Sequence, residues 1–234
     1  MFTSRFQKWV RRQALRLAEA VGRLPVTPNQ VTVAGMLLTF AAAGLVGFGQ
    51  LLAGGIVLAF AGTFDILDGA LARATDRTYP YGAFFDSTLD RYSEGAVYVG
   101  IAFYFLGTGG RWQVLATLLA LAGSFLVSYV RARAQSLGFT CDSGFFARPE
   151  RVVVTVAGLV LGGAVLTWVV WLLAVLTNLT VVQRIWEVWR QARGRPGAGQ
   201  VAEADFQPAS AGEVRQRHAG GRRPDAQAAP APEP

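Results

Sequence analysis

Residues 65–90 read DILDGALARATDRTYPYGAFFDSTLD, a stretch in which four aspartates are set at helical spacing among apolar residues. Asp65 and Asp68 are three residues apart, so they share one face of a helix. Asp86 and Asp90 are four residues apart and share a face of the next helix. A short connection between the two segments allows antiparallel helices to bring all four carboxylates together. Ionised side chains within apolar helices are costly, so each of them requires an explanation.

The composition of the chain indicates a membrane protein. Of its 234 residues, 52% are apolar and only 16% are charged, whereas soluble domains carry about 25% charged residues. Apolar runs of about 20 residues, the length that crosses a bilayer, recur along the first part of the chain. We therefore predict an all-α membrane protein with six transmembrane helices, at residues 30–50, 52–75, 80–107, 112–138, 149–163 and 165–191.

The two ends of the chain differ from this membrane domain, which we place at residues 25–193. Residues 1–24 combine apolar positions at helical spacing with basic residues, which predicts an interfacial amphipathic helix on the membrane surface. An ordinary amphipathic helix that packs on protein is the alternative. Thr27 or Asn29 can cap the helix that follows. Residues 194–234 are rich in Gly, Ala, Pro, Gln and Arg without periodicity, so we predict a disordered tail.

The basic character of the chain, with a net charge of +7, could indicate nucleic-acid binding. The basic residues lie at the ends of the apolar segments, however, as expected for a protein that faces an anionic membrane leaflet. Of the 22 arginines and lysines, only Arg111 falls in the loops on the side opposite the termini. This asymmetry predicts a multi-pass protein of the cytoplasmic membrane with both termini and the active site at the cytoplasmic face, and no nucleic-acid partner.

The single cysteine, Cys141, and the single histidine, His218, limit the chemistry that the chain can perform. One cysteine excludes a disulfide framework and a cysteine-based zinc cluster. A lone histidine in the polar tail disfavours a catalytic triad, so acid–base chemistry falls to carboxylates. Oxygen ligands alone suit hard divalent cations such as Mg²⁺ or Mn²⁺, and a pair of these ions bridged by aspartates serves displacements at phosphorus.

Other residues of the aspartate stretch allow more than one interpretation. Gly69 and Gly82 leave room for close approach of a substrate to the backbone, and Arg73 supplies a planar cation for a phosphate. The alternative is structural, with the acids forming buried ion pairs with Arg73, Arg77 and Arg91. A second alternative is a carboxylate-lined pathway of a cation transporter.

The complete pattern resembles the signature of the CDP-alcohol phosphatidyltransferase family: Asp65-x2-Asp68-Gly69-x2-Ala72-Arg73-x8-Gly82-x3-Asp86-x3-Asp90. By that resemblance the ligands of two divalent cations, Mg²⁺ or Mn²⁺, are Asp65, Asp68, Asp86 and Asp90. The same resemblance makes Asp90 the general base and assigns the CDP moiety to Asp68, Gly69, Arg73 and Gly82. The implied reaction displaces CMP from CDP-diacylglycerol by an alcohol. The family also implies a homodimer, for which the third and fourth spans are the expected interface.

A group of arginines around the connection between the fourth and fifth spans bears on the acceptor alcohol. The elements SYVRAR and RPER resemble the phosphatidylinositol-phosphate synthase branch of the family, which uses inositol 1-phosphate. That resemblance assigns the phosphate of a phosphorylated alcohol to Arg131, Arg148 and Arg151. Glycerol 3-phosphate, which would give phosphatidylglycerophosphate, is the alternative acceptor. A purely structural alternative is that these arginines only reach the membrane interface, as the positive-inside rule requires.

Overall fold

The structure is a computed structural model that describes residues 27–74, 79–141, 144 and 146–193. The described part of the chain is entirely helical outside its turns, with no strand. In chain order its helices are α1 (Pro28–Gly47), α2 (Leu51–Ala74), α3 (Pro80–Gly107), α4 (Arg111–Ser136), α5 (Arg148–Leu161) and α6 (Gly163–Arg193). The predicted amphipathic helix at 1–24 and the predicted tail at 194–234 lie outside the described residues.

The start of α1 is determined by Thr27, one of the two caps that the sequence predicts. Its hydroxyl accepts from the Gln30 amide at 3.4 Å, and its own amide donates to Gln30 Oε1 at 2.9 Å. This reciprocal pair is a capping box, and Pro28 at the first helical position needs no hydrogen-bond partner for its nitrogen. Pro80 is likewise the first residue of α3, where Tyr79 precedes it without a side-chain cap.

The helices end where glycine permits a turn. Gly49, with φ of 82°, lies between α1 and α2. Gly162, with φ of 97°, separates α5 from α6, two residues before the break that the sequence predicts between 163 and 165. Side chains other than glycine are strained at such positive φ values, so each break is tied to its residue type. The predicted spans match the helices within two or three residues at each end.

Consecutive helices run in opposite directions. Helix α1 contacts α2 and α3, α2 contacts α5, and α3 contacts α4. Gly100 of α3 lies so close to Ala43 of α1 that an added Cβ would collide with the Ala43 carbonyl. Small residues at a crossing allow this approach of two backbones. The central apolar core draws on all six helices, with Ala42, Val46, Leu58, Val97, Ile101, Phe105, Ala116, Leu159, Leu166 and Val170 among its members.

The outer surface of the helices is apolar, as expected of a protein whose solvent is lipid. Ile56, Phe60 and Trp168 are each more than half exposed. Four of the six helices in the described ranges are long and apolar enough to cross a membrane: α1, residues 51–71 of α2, α4 and α6. The chain is therefore a membrane protein.

The other two helices do not meet that criterion, for different reasons. Residues 80–94 of α3 carry Asp86, Asp90, Arg91 and Glu94. Helix α5 has only 14 residues, which span about 21 Å at the usual helical rise. The six predicted spans are thus matched by six helices, of which four have the character of a membrane span on their own.

The chain divides into two units, residues 1–188 and residues 189–234. The helices and sites described below belong to the first unit. In the second unit, the described residues are the last turn and a half of α6, residues 189–193. Within the first unit, the antiparallel order places the starts of α1, α3 and α5 at the same end as the final turns of α2 and α4.

Candidate active site

Asp68 lies in the last third of α2 and is only 5% exposed. Its Oδ2 accepts a hydrogen bond of 2.7 Å from the hydroxyl of Thr32, which lies on the second turn of α1. Its Oδ1 is 2.5 Å from the Gly69 amide. The Thr32 hydroxyl joins α1 to the carboxylate and fixes the side chain's orientation, a contact that no sequence pattern predicts.

Asp65 and Asp90 are brought together by one arginine from a third helix. Arg148, the first residue of α5, places Nη1 at 2.7 Å from Asp65 Oδ2 and Nη2 at 2.8 Å from Asp90 Oδ1. The two carboxylates, from α2 and α3, thus share a single guanidinium. Helical spacing predicts that these aspartates face each other, and the ion pairs show that they do. The family resemblance assigns Arg148 to the acceptor phosphate, and it did not predict the contact of Arg148 with two aspartates.

One turn further along α5, Arg151 is held much more tightly. It is 2% exposed, and its Nε and Nη2 atoms each lie 2.7 Å from Glu94 Oε1. Its Nη1 donates to the Phe146 carbonyl at 3.3 Å. Glu94 therefore ties the first turn of α5, and the loop that precedes it, to α3.

Arg91 connects the acids to α4. It lies 3.7 Å from Asp90 Oδ2 and 3.7 Å from Glu94 Oε2, and it donates to the hydroxyl of Ser128. The structural alternative of ion pairing with Arg91 is therefore present at Asp90. The side chain of Arg73 and the whole of Arg77 lie outside the described residues, so their predicted contacts stay predictions.

Beside these acids a cavity of about 770 Å³ opens between α3, α4, α5 and α6. Its lining includes Asp90 together with five arginines, which are Arg91, Arg131, Arg148, Arg151 and Arg184. All three arginines predicted for the acceptor phosphate therefore line one cavity.

Arg184 of α6 is the arginine of this cavity that the sequence analysis missed. It is 5% exposed, and its Nη1 donates to the Val127 carbonyl at 2.6 Å. An arginine within an apolar helix carries the same signal that identified the aspartates, namely the cost of a charge in a membrane segment.

Two further residues predicted for the site, Asp86 and Gly82, lie near the start of α3. Asp86, on the second turn of α3, is half-buried. Gly82 lies one turn earlier, and an added Cβ there would meet only ordinary contacts, at 3.7 Å or more, from Tyr79 and Asn29. Asn29 donates to the Tyr79 hydroxyl at 3.1 Å. Gly82 therefore leaves room for one methyl group before Tyr79 and Asn29 are reached.

The four aspartates are candidate ligands for divalent cations. As they stand, no three acidic, histidine or cysteine side chains in the described ranges are grouped tightly enough to hold one ion. In those same ranges, neither Asp68 nor Asp86 has an arginine or lysine within ion-pair distance, although both are at least half-buried. Asp65 and Asp90 already bind a shared cation, the Arg148 guanidinium. A set of carboxylate oxygens from two neighbouring helices is the kind of hard donor set that fits divalent cations.

Proteins of known function resemble this chain over most of its length. The model of the family described as CDP-alcohol phosphatidyltransferase matches residues 25–182. Archaetidylinositol phosphate synthase of Methanothermobacter thermautotrophicus is 38% identical over 175 residues, which cover 73% of this chain and 87% of that protein. Phosphatidylinositol phosphate synthase of Mycobacteroides abscessus is 39% identical over 189 residues, covering 78% and 84%.

Solved structures agree in fold and sequence. The crystal structure of Mycobacterium tuberculosis phosphatidylinositol phosphate synthase with CDP-DAG bound matches with a TM-score of 0.72 and 36% identity. That match covers 80% of this chain and 96% of the crystallised chain. A crystal structure of the same enzyme in complex with manganese and citrate matches with a TM-score of 0.71 and 36% identity, covering 79% and 91%.

Proposed function

The chain belongs to the CDP-alcohol phosphatidyltransferase family, and from that premise we propose that it transfers a phosphatidyl group from CDP-diacylglycerol to inositol 1-phosphate, releasing CMP. The observation that carries the proposal is the meeting of two groups of side chains. The aspartates of α2 and α3 meet an arginine-lined cavity at Asp90 and Arg148. An activated diphosphate lipid and a phosphorylated alcohol would need these two environments side by side.

The residues have distinct roles in the proposed reaction. Asp90 borders both the acids and the cavity, so it is placed to accept the proton of the attacking hydroxyl. The hydroxyl oxygen bonds to the lipid-linked phosphorus, and the bond from that phosphorus to the CMP oxygen breaks. Divalent cations, Mg²⁺ or Mn²⁺, held by Asp65, Asp68, Asp86 and Asp90 would neutralise the diphosphate and stabilise the leaving group. The CDP moiety would lie against Asp68, Gly69, Arg73 and Gly82.

The acceptor phosphate is proposed to bind Arg131, Arg148 and Arg151 in the large cavity. Arginines recognise phosphate through paired N–H donors, which a neutral alcohol such as inositol would leave unsatisfied. Arg184 lines the same cavity and adds to its positive charge. Glycerol 3-phosphate carries the same phosphate and is the second candidate, but the relatives named as inositol phosphate synthases favour the first.

The membrane arrangement is proposed to consist of six spans, with α3 and α5 completing the four apolar helices. The charged half of α3 turns its acids towards Arg148 and Arg151, not towards lipid. We propose that the site and both termini face the cytoplasm in the cytoplasmic membrane, because Arg111 is the single basic residue at the opposite loops. A homodimer through α3 and α4 is part of the same proposal.

A direct assay tests the reaction and the acceptor. Purified protein is incubated with CDP-diacylglycerol, Mg²⁺ and one of four alcohols: inositol 1-phosphate, glycerol 3-phosphate, inositol or serine. CMP release is expected to be fastest with inositol 1-phosphate, to stop when EDTA removes the metal, and to be abolished in Asp90→Asn. Asp205→Asn, in the C-terminal segment, is the matched control. Full CMP release by Asp90→Asn would refute the catalytic assignment, and faster release with glycerol 3-phosphate would refute the acceptor.

A further inference from the structure

Arg148 occupies the border between the two halves of the proposed site. Its guanidinium is bonded to Asp65 and Asp90, both proposed metal ligands, and the same side chain lines the cavity proposed for the acceptor phosphate. One guanidinium cannot serve both partners fully, because the N–H groups directed at the carboxylates are no longer available to a phosphate. The two roles therefore exclude each other in part.

A divalent cation and the guanidinium also exclude each other at the carboxylates. Asp65 Oδ2 and Asp90 Oδ1 are the atoms that Arg148 engages. A metal ion bound by the same oxygens would place like charges within a few ångströms of each other in a half-buried site, where repulsion is stronger than in water. Binding of the metal should therefore expel the guanidinium.

We propose that Arg148 is a displaceable counter-cation: it holds Asp65 and Asp90 together in the metal-free protein, and divalent cations release it towards the acceptor phosphate. The inference rests on the proposed function, since it assumes that the aspartates bind metal. Its consequence is an order of binding, because the phosphate pocket gains a cation only after the metal has bound.

The contrast with Arg151 supports the mobility of Arg148. The two arginines lie three residues apart on α5, yet the Arg148 side chain is 25% exposed and that of Arg151 only 2%. Arg151 is held by Glu94 and by the Phe146 carbonyl. Arg148 Nε is a buried donor without a hydrogen-bond partner in the described ranges. A donor without a partner is costly, and a phosphate oxygen in the adjacent cavity would satisfy it.

The decisive measurement is the affinity of the substrate-free, full-length protein for Mn²⁺, determined by electron paramagnetic resonance or calorimetry. Arg148→Gln removes the competing cation, so we expect it to bind Mn²⁺ about tenfold more tightly than the unaltered protein. Arg91→Gln removes a cation that also lies near Asp90 but does not bridge it to Asp65, and it should change the affinity much less. Arg148→Lys, which keeps a charge but cannot bridge two carboxylates equally, should fall between.

The second measurement follows inorganic phosphate as a probe of the cavity. Phosphate should bind the unaltered protein measurably only when Mg²⁺ is present. Arg148→Gln should bind no measurable phosphate, with or without Mg²⁺. Equal Mn²⁺ affinity in Arg148→Gln and the unaltered protein, or equal effects of Arg148→Gln and Arg91→Gln, would overturn the displacement. Phosphate binding that is independent of Mg²⁺ would overturn the release. If neither the unaltered protein nor Arg148→Gln binds Mn²⁺, the proposed metal site itself is wrong.

Discussion

At the scale of single residues, the site combines carboxylates that a cation can reach with neutral groups that hold them in place. The bond from the Thr32 hydroxyl to Asp68, 2.7 Å long, is of the second kind. Partners that orient a metal ligand in this way are commonly worth ten- to a hundredfold in metal affinity or activity. The hydroxyl also lies 3.1 Å from the Pro28 carbonyl of its own helix, so its removal needs a control that loses only a bond of that second kind.

Thr32→Val is accordingly expected to raise the Mg²⁺ concentration for half-maximal CMP release by about tenfold. Thr117→Val is the matched control, because the Thr117 hydroxyl is also buried but donates only to the Gln113 carbonyl of its own helix. A Mg²⁺ titration of both variants makes the comparison. Identical titration curves for Thr32→Val and the unaltered protein would show that Asp68 is oriented without this bond.

The Glu94–Arg151 ion pair contributes to the stability of the fold, because it joins α3 to α5. Glu94→Gln would leave a guanidinium that is 2% exposed without its counter-charge, and breaking a buried pair in this way costs about 3–5 kcal/mol. We expect a fall in melting temperature of roughly 10 °C in detergent. The double variant Glu94→Leu, Arg151→Met should recover part of the loss, since it removes both charges. A melting temperature for Glu94→Gln equal to that of the unaltered protein would mean that the pair adds nothing to stability.

At the scale of helices, the crossing of α4 and α6 depends on Gly123. A Cβ added there would collide with the Thr177 hydroxyl and would lie 2.8 Å from Asn178 Nδ2. Overpacking of a tight crossing costs about 1–3 kcal/mol, so Gly123→Ala should lower the melting temperature. Gly44→Ala on α1 meets nothing within 4 Å and should be neutral or stabilising by about 0.5–1 kcal/mol. Thermal unfolding of both variants tests the difference in sign.

The helix boundaries could be predicted because the residue types at each boundary determine them. Thr27, Pro28 and Pro80 begin helices, and Gly162 ends one, through short-range geometry that the residue type determines. The spacing of the aspartates likewise predicted which helix faces meet. Two of the six predicted spans lack the hydropathy or the length of a membrane helix, because the first part of α3 carries charges that it buries against its neighbours and α5 has only 14 residues.

The partners of the aspartates could not be predicted from spacing. Sequence proximity offers Arg91 to Asp90, yet Arg148, more than fifty positions away, forms the shorter contacts with Asp65 and Asp90. Arg184 could have been singled out by its charge within an apolar helix, although its contact with α4 could not. Thr32 was missed because a hydroxyl gains such a role only when another helix comes beside it. Such long-range pairs depend on the order in which helices pack, which no local pattern contains.

At the scale of the whole chain, the charges are gathered at one end of the helices of the first unit. The carboxylates, the cavity arginines and the ends of α2 and α4 all lie there, while the connections after α1 and α5 carry no charge. The connection after α3 is followed by a single charged residue, Arg111, which begins α4. By the positive-inside rule this asymmetry supports the proposed orientation, with the site on the cytoplasmic side.

Helix α4 allows this orientation to be measured with two labels. Arg111 and Ser136 are its exposed first and last residues, and 26 residues of helix extend about 39 Å, more than the roughly 30 Å of a hydrocarbon core. In a Cys141→Ser background, a membrane-impermeant maleimide should label Arg111→Cys in intact cells but should label Ser136→Cys only after the membrane is permeabilised. Labelling in the opposite sense would invert the topology, and labelling of both in intact cells would show that α4 does not span the membrane.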